Sequence, residues 1–388
     1  MKIKVIASII IIQSLVLKAQ DATFSISDFN PMNLNPAYAI SGDGQIKLFS
    51  SSRQQWLNLD GPQANSPSYL IHQVTLSAPI QSSRNSGFGI AIQLNNQTAG
   101  EGALEMNGGR ITGAARFSGK FKRHNYSFAS GVGIGMSQYS LDWGNLRFAS
   151  QYDSFYGFIQ TTPLVNPQAI QSNIGISANL GLRFAYSHEY RSGSIIAIKS
   201  GYGLFHANNT ALSFFDNNSI LFPRHVFHNS IIYLPNSTKG IKGTPLNYYI
   251  AGLVILKQGP VSTSELRLGT NINPGMNLFM MYRSQYLLPI ENRVDAICFQ
   301  TQIKLNQFLM SIGYDITISE LNNMRTYGTT EIGVMIPLGK NNPIGNKKVQ
   351  ASCQAEQVLS HALWKMNEKF DSKGRVFNKE FSSLSLVL

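Results

Sequence analysis

The sequence predicts an all-β protein: a transmembrane antiparallel β-barrel of about fourteen strands, with a plug-like N-terminal segment and a short C-terminal helical tail. Three observations carry that prediction. Between residues 44 and 340 the chain repeats runs of about ten residues in which apolar and polar side chains alternate, each run bounded by turn-forming residues. The composition is rich in Gly (33), Phe (22) and Tyr (16) but only 13% charged, about half the ~25% of an ordinary globular chain. Finally, an export signal opens the chain, while no later run reaches the ~20 apolar residues of a membrane-spanning helix.

Residues 1–19 carry the signal peptide. Lys2 and Lys4 form a charged start, Val5 to Val16 is an apolar run too short to span a bilayer, and Ala19 places the cut before Gln20. Leu17 stands where a small residue is usual. The formal charge of +12 falls by three when Lys2, Lys4 and Lys18 leave, and the remaining excess suits anionic lipid head groups or an acidic partner. No nucleic-acid recognition motif accompanies it.

Residues 20–43 form a periplasmic or plug segment. Its two Asn-Pro pairs, Asn30-Pro31 and Asn35-Pro36, hold the chain extended and turning, because proline fixes its own φ and pushes the preceding residue out of the helical region. Phe24, Phe29, Leu34 and Tyr38 give the segment apolar surface with which to fold into the barrel mouth. The candidate plug or partner-binding residues are Phe24, Asn30, Pro31, Asn35, Pro36 and Tyr38, with Arg53, Gln55 and Trp56 holding the segment from the wall.

The barrel occupies residues 44–340. Its strands are expected near 44–52, 68–80, 87–97, 110–122, 125–139, 174–190, 194–206, 224–236, 246–257, 262–272, 275–287, 293–304, 307–318 and 326–338. From Phe308 to Ser319 the apolar set Phe308, Met310, Ile312, Tyr314, Ile316 and Ile318 alternates with Leu309, Ser311, Gly313, Asp315, Thr317 and Ser319. Tyr126, Phe128, Val132, Ile134 and Met136 likewise oppose Ser127, Ala129, Gly131, Gly133 and Gly135, and Leu182 and Phe184 leave Arg183 facing inward. A soluble sandwich would also alternate, but it would need more Lys and Glu on its outer faces. Tight connections such as Lys122-Arg123 and Asn306-Gln307 contrast with long ones at 140–173 and 208–223, and short turns belong on the periplasmic side.

In residues 341–388 the period changes. Ala355, Val358, Leu359, Ala362, Leu363 and Met366 recur at helical spacing, which predicts a short amphipathic helix. Cys298 and Cys353 lie in different regions and are expected as buried free thiols.

No catalytic, cofactor or metal site is expected. His225 and His228 fall on opposite faces of a strand, and no nucleophile elbow or phosphate-cradling loop is present. Gly131, Gly133 and Gly135 make room inside the barrel. Asp315 and Glu331 lie on polar faces of neighbouring strands and are expected to pair with Arg183 or Arg283 in the lumen; Glu101, Glu105 and Asp295 are scattered.

The run Gln20-Asp21 followed by Phe24-Ser25, then Asn35-Pro36-Ala37, then Arg53-x-Gln55-Trp56, resembles the opening of the PorP/SprF family of Bacteroidota outer-membrane proteins. The resemblance in strand pattern reaches about Gly339 and stops at Asn341, so the tail departs from the family. It implies a non-enzymatic outer-membrane component of the type IX secretion system, anchoring or helping to export or attach cargo at the cell surface, with a link to gliding motility. The implied partners are other secretion components, among them periplasmic ring or motor-linked proteins, or the signal domain of a cognate adhesin. The alternative expectation is a FadL-like outer-membrane transporter of hydrophobic small molecules. Beside it stands a purely structural, porin-like protein.

Overall fold

In the computed structural model, the described residues are 21–338, apart from 22, 41–45, 57–68, 81–84, 101–103, 142–150, 154, 159–171, 193, 211–219, 236–247, 274, 286–293, 306–307 and 320–322. The signal peptide with its Ala19–Gln20 junction, Cys353 and the amphipathic stretch of the tail lie outside them.

Alternation at a period of two puts each strand's oily residues on one face, and closing the sheet is the way to satisfy every backbone group in lipid. The strands are β1 (Ile46–Gln55), β2 (Tyr69–Ile80), β3 (Ser86–Ala99), β4 (Leu104–Phe121), β5 (His124–Ser140), β6 (Tyr152–Asp153), β7 (Gly157–Phe158), β8 (Ser172–Glu189), β9 (Ile195–Phe205), β10 (Arg224–Leu234), β11 (Tyr249–Gln258), β12 (Val261–Asn273), β13 (Met276–Gln285), β14 (Val294–Leu305), β15 (Phe308–Thr317) and β16 (Thr329–Leu338). Strands β6 and β7 pair only with each other, within the long connection after β5. The other fourteen form one closed antiparallel barrel, as the alternation predicts, with each expected run matched by one strand. The seam closes where β1 meets β16, from Ile46 opposite Leu338 to Gln55 opposite Thr329.

The two faces differ as lipid and lumen should. On β5, Ile134 is 70% exposed and Ser127 1%. Outward positions elsewhere carry Phe88, Ile111, Phe117, Val132, Ile176, Leu182 and Phe299, all exposed. Unpaired Leu and Ile on that scale suit hydrocarbon rather than water. His225 lies on the outer face beside the Tyr202 hydroxyl, 2.6 Å away, whereas His228 is buried inside.

Most connections at the end where β1 begins are short, including those after β4, β8 and β14, while those after β1, β5 and β9 at the other end are long. Residues 235–248 are the long exception. The short-turn end is therefore periplasmic.

Eight strands make a barrel that side chains alone fill, and sixteen leave a channel. Fourteen leave a lumen that needs something more. Residues 23–40 run inside it. They form three brief turns, Ser27–Phe29, Pro31–Leu34 and Pro36–Ala39, separated by Asn30 (φ −132°) and Asn35 (φ −164°). The prolines thus open helical turns, with Asn35 extended before its proline and Asn30 not (ψ 50°), so the segment is more coiled than its two Asn-Pro pairs alone suggest.

Candidate functional site

The arrangement with most chemical content is the contact between this segment and the lumen wall. Buried strand residues of the wall include eight cations, Lys47, Arg53, Arg116, Arg183, Lys199, Arg224, Arg267 and Arg283, against two carboxylates, Asp315 and Glu331. The segment brings Asp21 and Asp28 into that positive interior.

At the top, Asp21 lies among the outer ends of β9, β10 and β11. Its carboxylate Oδ2 is 2.7 Å from His206 Nε2 and 3.4 Å from Arg224 Nη1, and its backbone N–H donates to Gln258 Oε1 at 3.0 Å. Burial pushes the Asp21 carboxyl up, but the charge of Arg224 and the hydrogen bond and charge of His206 outweigh it, so it is held well below the ordinary value.

Next comes a clamp on Ser25. The two oxygens of Glu331 accept from successive backbone amides, Ser25 N–H and Ile26 N–H, each at 2.8 Å. Ser25 Oγ donates to Asp315 Oδ2 at 2.6 Å and accepts from Arg53 Nη1 at 3.0 Å and from Arg283 Nη2. Arg53 pairs directly with Glu331, and Arg283 bridges Asp315 at 3.1 Å and Glu265 at 2.8 Å. A buried ion cluster holds together only when each charge has a partner and further hydrogen bonds, and here the segment's own backbone supplies some of them. Cys298, a free buried thiol, closes the cluster with Sγ 3.8 Å from Ser25 Oγ.

Lower down, Asp28 Oδ2 accepts from Arg267 Nη2 at 2.6 Å and Gln302 Nε2 at 3.0 Å. Burial raises its carboxyl, and the charge and hydrogen bond of Arg267 more than reverse that, leaving it below the usual carboxylate value. The segment then returns toward the outer end, where Asn33 exchanges hydrogen bonds with Gln73 and Gln93 at 2.7 and 2.8 Å and its carbonyl accepts from Arg224 Nη2 at 3.4 Å. Asn35 donates to the Leu182 carbonyl at 2.7 Å and accepts from Ala37 N–H at 2.9 Å, capping its own turn. Arg183 donates to the Ile40 carbonyl at 3.0 Å, with its guanidinium 4.5 Å from the Tyr38 ring centroid.

Apolar contacts fill the gaps. Ile26 and Phe29 pack with Leu309 and Met335, and Met32, Ala37, Ala39 and Ile40 pack against Ala91, Ala114 and Ala129. The backbone fits this closely because the wall is glycine there: a Cβ at Gly131 would stand 2.6 Å from Ala37 N, and one at Gly181 would stand 2.8 Å from Pro36 Cδ.

Several sequence expectations meet here and others part. Phe24, Asn30, Asn35 and Pro36 are buried in the lumen, and Arg53 grips the segment directly. Gln55 reaches it only through Arg53 Nη2, at 3.3 Å. Trp56 follows β1 with φ 57°, and its ring meets Tyr69 edge-on at 5.1 Å. Arg283 pairs with Asp315 as expected, but Glu331 takes Arg53, and Arg183 is committed to Ile40 and Tyr38 further down. Asp21 lies at the outer end beside His206 and Arg224, and Ile40 lies deeper, against Gly89 of β3. Arg110, His206, Arg224 and Arg267 escaped the sequence reading. Their signal was present, since Arg110, Arg224 and Arg267 fall at inward positions of their strands, where a charge needs a partner or water.

Two cavities between segment and wall, of about 40 and 30 Å³, are seen among the described residues. Each holds a few waters at most.

These features define an outer-membrane β-barrel that carries its own N-terminal segment inside the lumen. The chain belongs to the PorP/SprF family of type IX secretion system membrane proteins, whose sequence profile matches residues 16–336. No curated protein matches it. Similar solved structures are barrels at low identity: the β domain of the Bordetella autotransporter BrkA (11% identity, 75% of this chain and 98% of that one, TM-score 0.38), the monoaromatic hydrocarbon channel CymD (11%, 83% and 96%, 0.38) and a Pseudomonas aeruginosa FadL homologue (8%, 79% and 93%, 0.35).

Proposed function

We propose that this barrel is a non-enzymatic anchorage component of the type IX system, helping to export cargo or attach it at the cell surface, in the branch linked to gliding motility. Its own N-terminal segment acts as a plug. The observation that carries this reading is the clamp on Ser25 and Ile26 by Arg53, Arg283, Asp315 and Glu331, together with a glycine-lined trough moulded to residues 35–37. A rigid sheet held shut in this way offers its outer loops to a cargo signal domain and its periplasmic end to ring or motor-linked proteins.

Deleting residues 21–39 tests the reading. The truncated barrel is expected to insert but to conduct ions and to lose capture of a secretion partner in a crosslinking pull-down. Unchanged conductance with unchanged capture would overturn it, as would uptake of hydrophobic small molecules into liposomes by the intact barrel. Loss of the gene is expected to leave a specific cargo inside the cell.

A further inference from the structure

The larger of the two cavities lies at the outer end of the lumen, and the plug satisfies its arginines only in part: Arg110 Nη1 donates to the Met32 carbonyl at 3.3 Å and Arg224 Nη2 to the Asn33 carbonyl at 3.4 Å, which leaves each guanidinium with further N–H groups. Its guanidiniums are those of Arg110 and Arg224, the His206 imidazole lies beside them, and its one carboxylate is Asp21. Amides and hydroxyls from β2, β3 and β5, including Gln93 and Tyr139, complete the wall. Every strand residue lining it comes from the half of its strand nearest the long loops, so the cavity faces outward.

The two guanidiniums are brought to one ring. Arg110 Cζ is 4.8 Å and Arg224 Cζ 4.4 Å from the centroid of Phe205, which is itself fully buried. Two like charges gathered on one aromatic ring in a dry interior repel, and the single carboxylate of Asp21 cannot neutralise both. His206 uses Nε2 on Asp21, and its Nδ1 has no partner among the described residues. The same holds for Nε of Arg110 and of Arg224 and for Oε1 of Gln93. Arg224 and His206 are only 3% and 6% exposed, so these donors belong to the interior rather than to bulk solvent. A volume near 40 Å³ corresponds to about three waters, the room a small oxyanion takes.

We infer that this cavity is a binding site for a small oxyanion, a carboxylate or an inorganic sulfate or phosphate, held by Arg110, Arg224 and His206. Asp21 occupies part of the same field and therefore competes with the ligand. Guanidinium forks match oxyanions with paired N–H donors, and the amide-rich wall supplies orienting hydrogen bonds. The site rests on the packing of the segment in the lumen and not on the secretion role, so its failure would leave that role untouched.

The test is isothermal titration of the purified, detergent-held mature chain with sodium sulfate, and separately with sodium acetate, against sodium chloride at matched ionic strength. One saturable site for sulfate or acetate, absent with chloride, is expected. The sulfate and acetate arms distinguish a tetrahedral from a planar ligand. R110Q, which leaves the Asp21 contacts with His206 and Arg224 in place, is expected to weaken binding about 10- to 100-fold, the range for one charge-assisted contact. R224Q is expected to do the same, and heat-modifiable gel migration confirms that each variant is folded. D21N removes the competing carboxylate and is expected to tighten binding. No saturable heat in the parent, unchanged affinity in R110Q, or unchanged or weaker affinity in D21N would each overturn the inference.

Discussion

Replacing Arg53 by Met tests the clamp at its hinge point. The substitution keeps the apolar stem but removes the charge that faces Glu331 and Asp315, whose side chains are 0% and 3% exposed. Asp315 keeps Arg283, whereas Glu331 is left with only the two amides of Ser25 and Ile26. Stranding one member of a buried ion pair costs roughly 3–5 kcal/mol. The loss falls on the docked state of the segment, because an undocked segment lets water reach Glu331. The docking equilibrium should therefore shift by roughly 100- to 3,000-fold. Cys298 reports it: the thiol is 1% exposed and touches Ser25, so it reacts with a maleimide only when the segment leaves. With Cys353 replaced by Ser, the labelling rate of the R53M barrel should rise by that factor. R53M combined with E331Q should recover part of the loss, since neither charge is then stranded. A rate within threefold of the parent's, in a barrel that still shows heat-modifiable migration, would mean that the clamp does not hold the segment.

Further outcomes follow from the same geometry. G181V should insert normally but exclude residues 35–37 and open the pore to ion current in planar bilayers, since even a first added carbon would stand 2.8 Å from Pro36 Cδ. The Asp28 carboxyl is depressed below its ordinary 3.8, so its contribution is fully present above that value and is lost only as the pH falls through the lower, folded-state value. Cys298 labelling by 2,2′-dithiodipyridine, which reacts with thiols in acid, measured against an exposed-thiol control at each pH, should therefore be insensitive to this group from about pH 5 to 8 and accelerate below about pH 4, and D28N should flatten that acid limb. On the outside, I134K places a charge at a position 70% exposed to lipid and should lower folding stability in a urea titration by roughly 2–4 kcal/mol if Ile134 sits near the midplane, less toward an interface.

The barrel was legible because its signal is local. Phe308 to Ser319 shows which residues face lipid without reference to any other strand, and fourteen such runs are enough to count strands. Arg183 was placed correctly on the inner face by the same argument. Its partner was not, because Ile40 and Tyr38 lie far from it in sequence and nothing in a period of two encodes depth within the lumen. The pattern points Glu331 to Arg183 or Arg283 instead of Arg53 for a related reason: Glu331 and Arg53 become opposite neighbours only when β1 pairs with β16, a register set by closure. The meeting of Asp21 with His206 and Arg224 depends on which way the segment runs through the cylinder, and neither Asn-Pro pair contains that direction.

Arg53 stands on the first strand and Glu331 on the last, directly across the seam; Arg53 grips Ser25, and Glu331 grips both Ser25 and Ile26. That grip cannot exist until the final hairpin has joined the opening strand, so the lumen is stoppered only after the cylinder is complete. An unfinished sheet would leave residues 23–40 hanging free, exposed to proteases, and the occupied interior thereby certifies a barrel whose edges have already met.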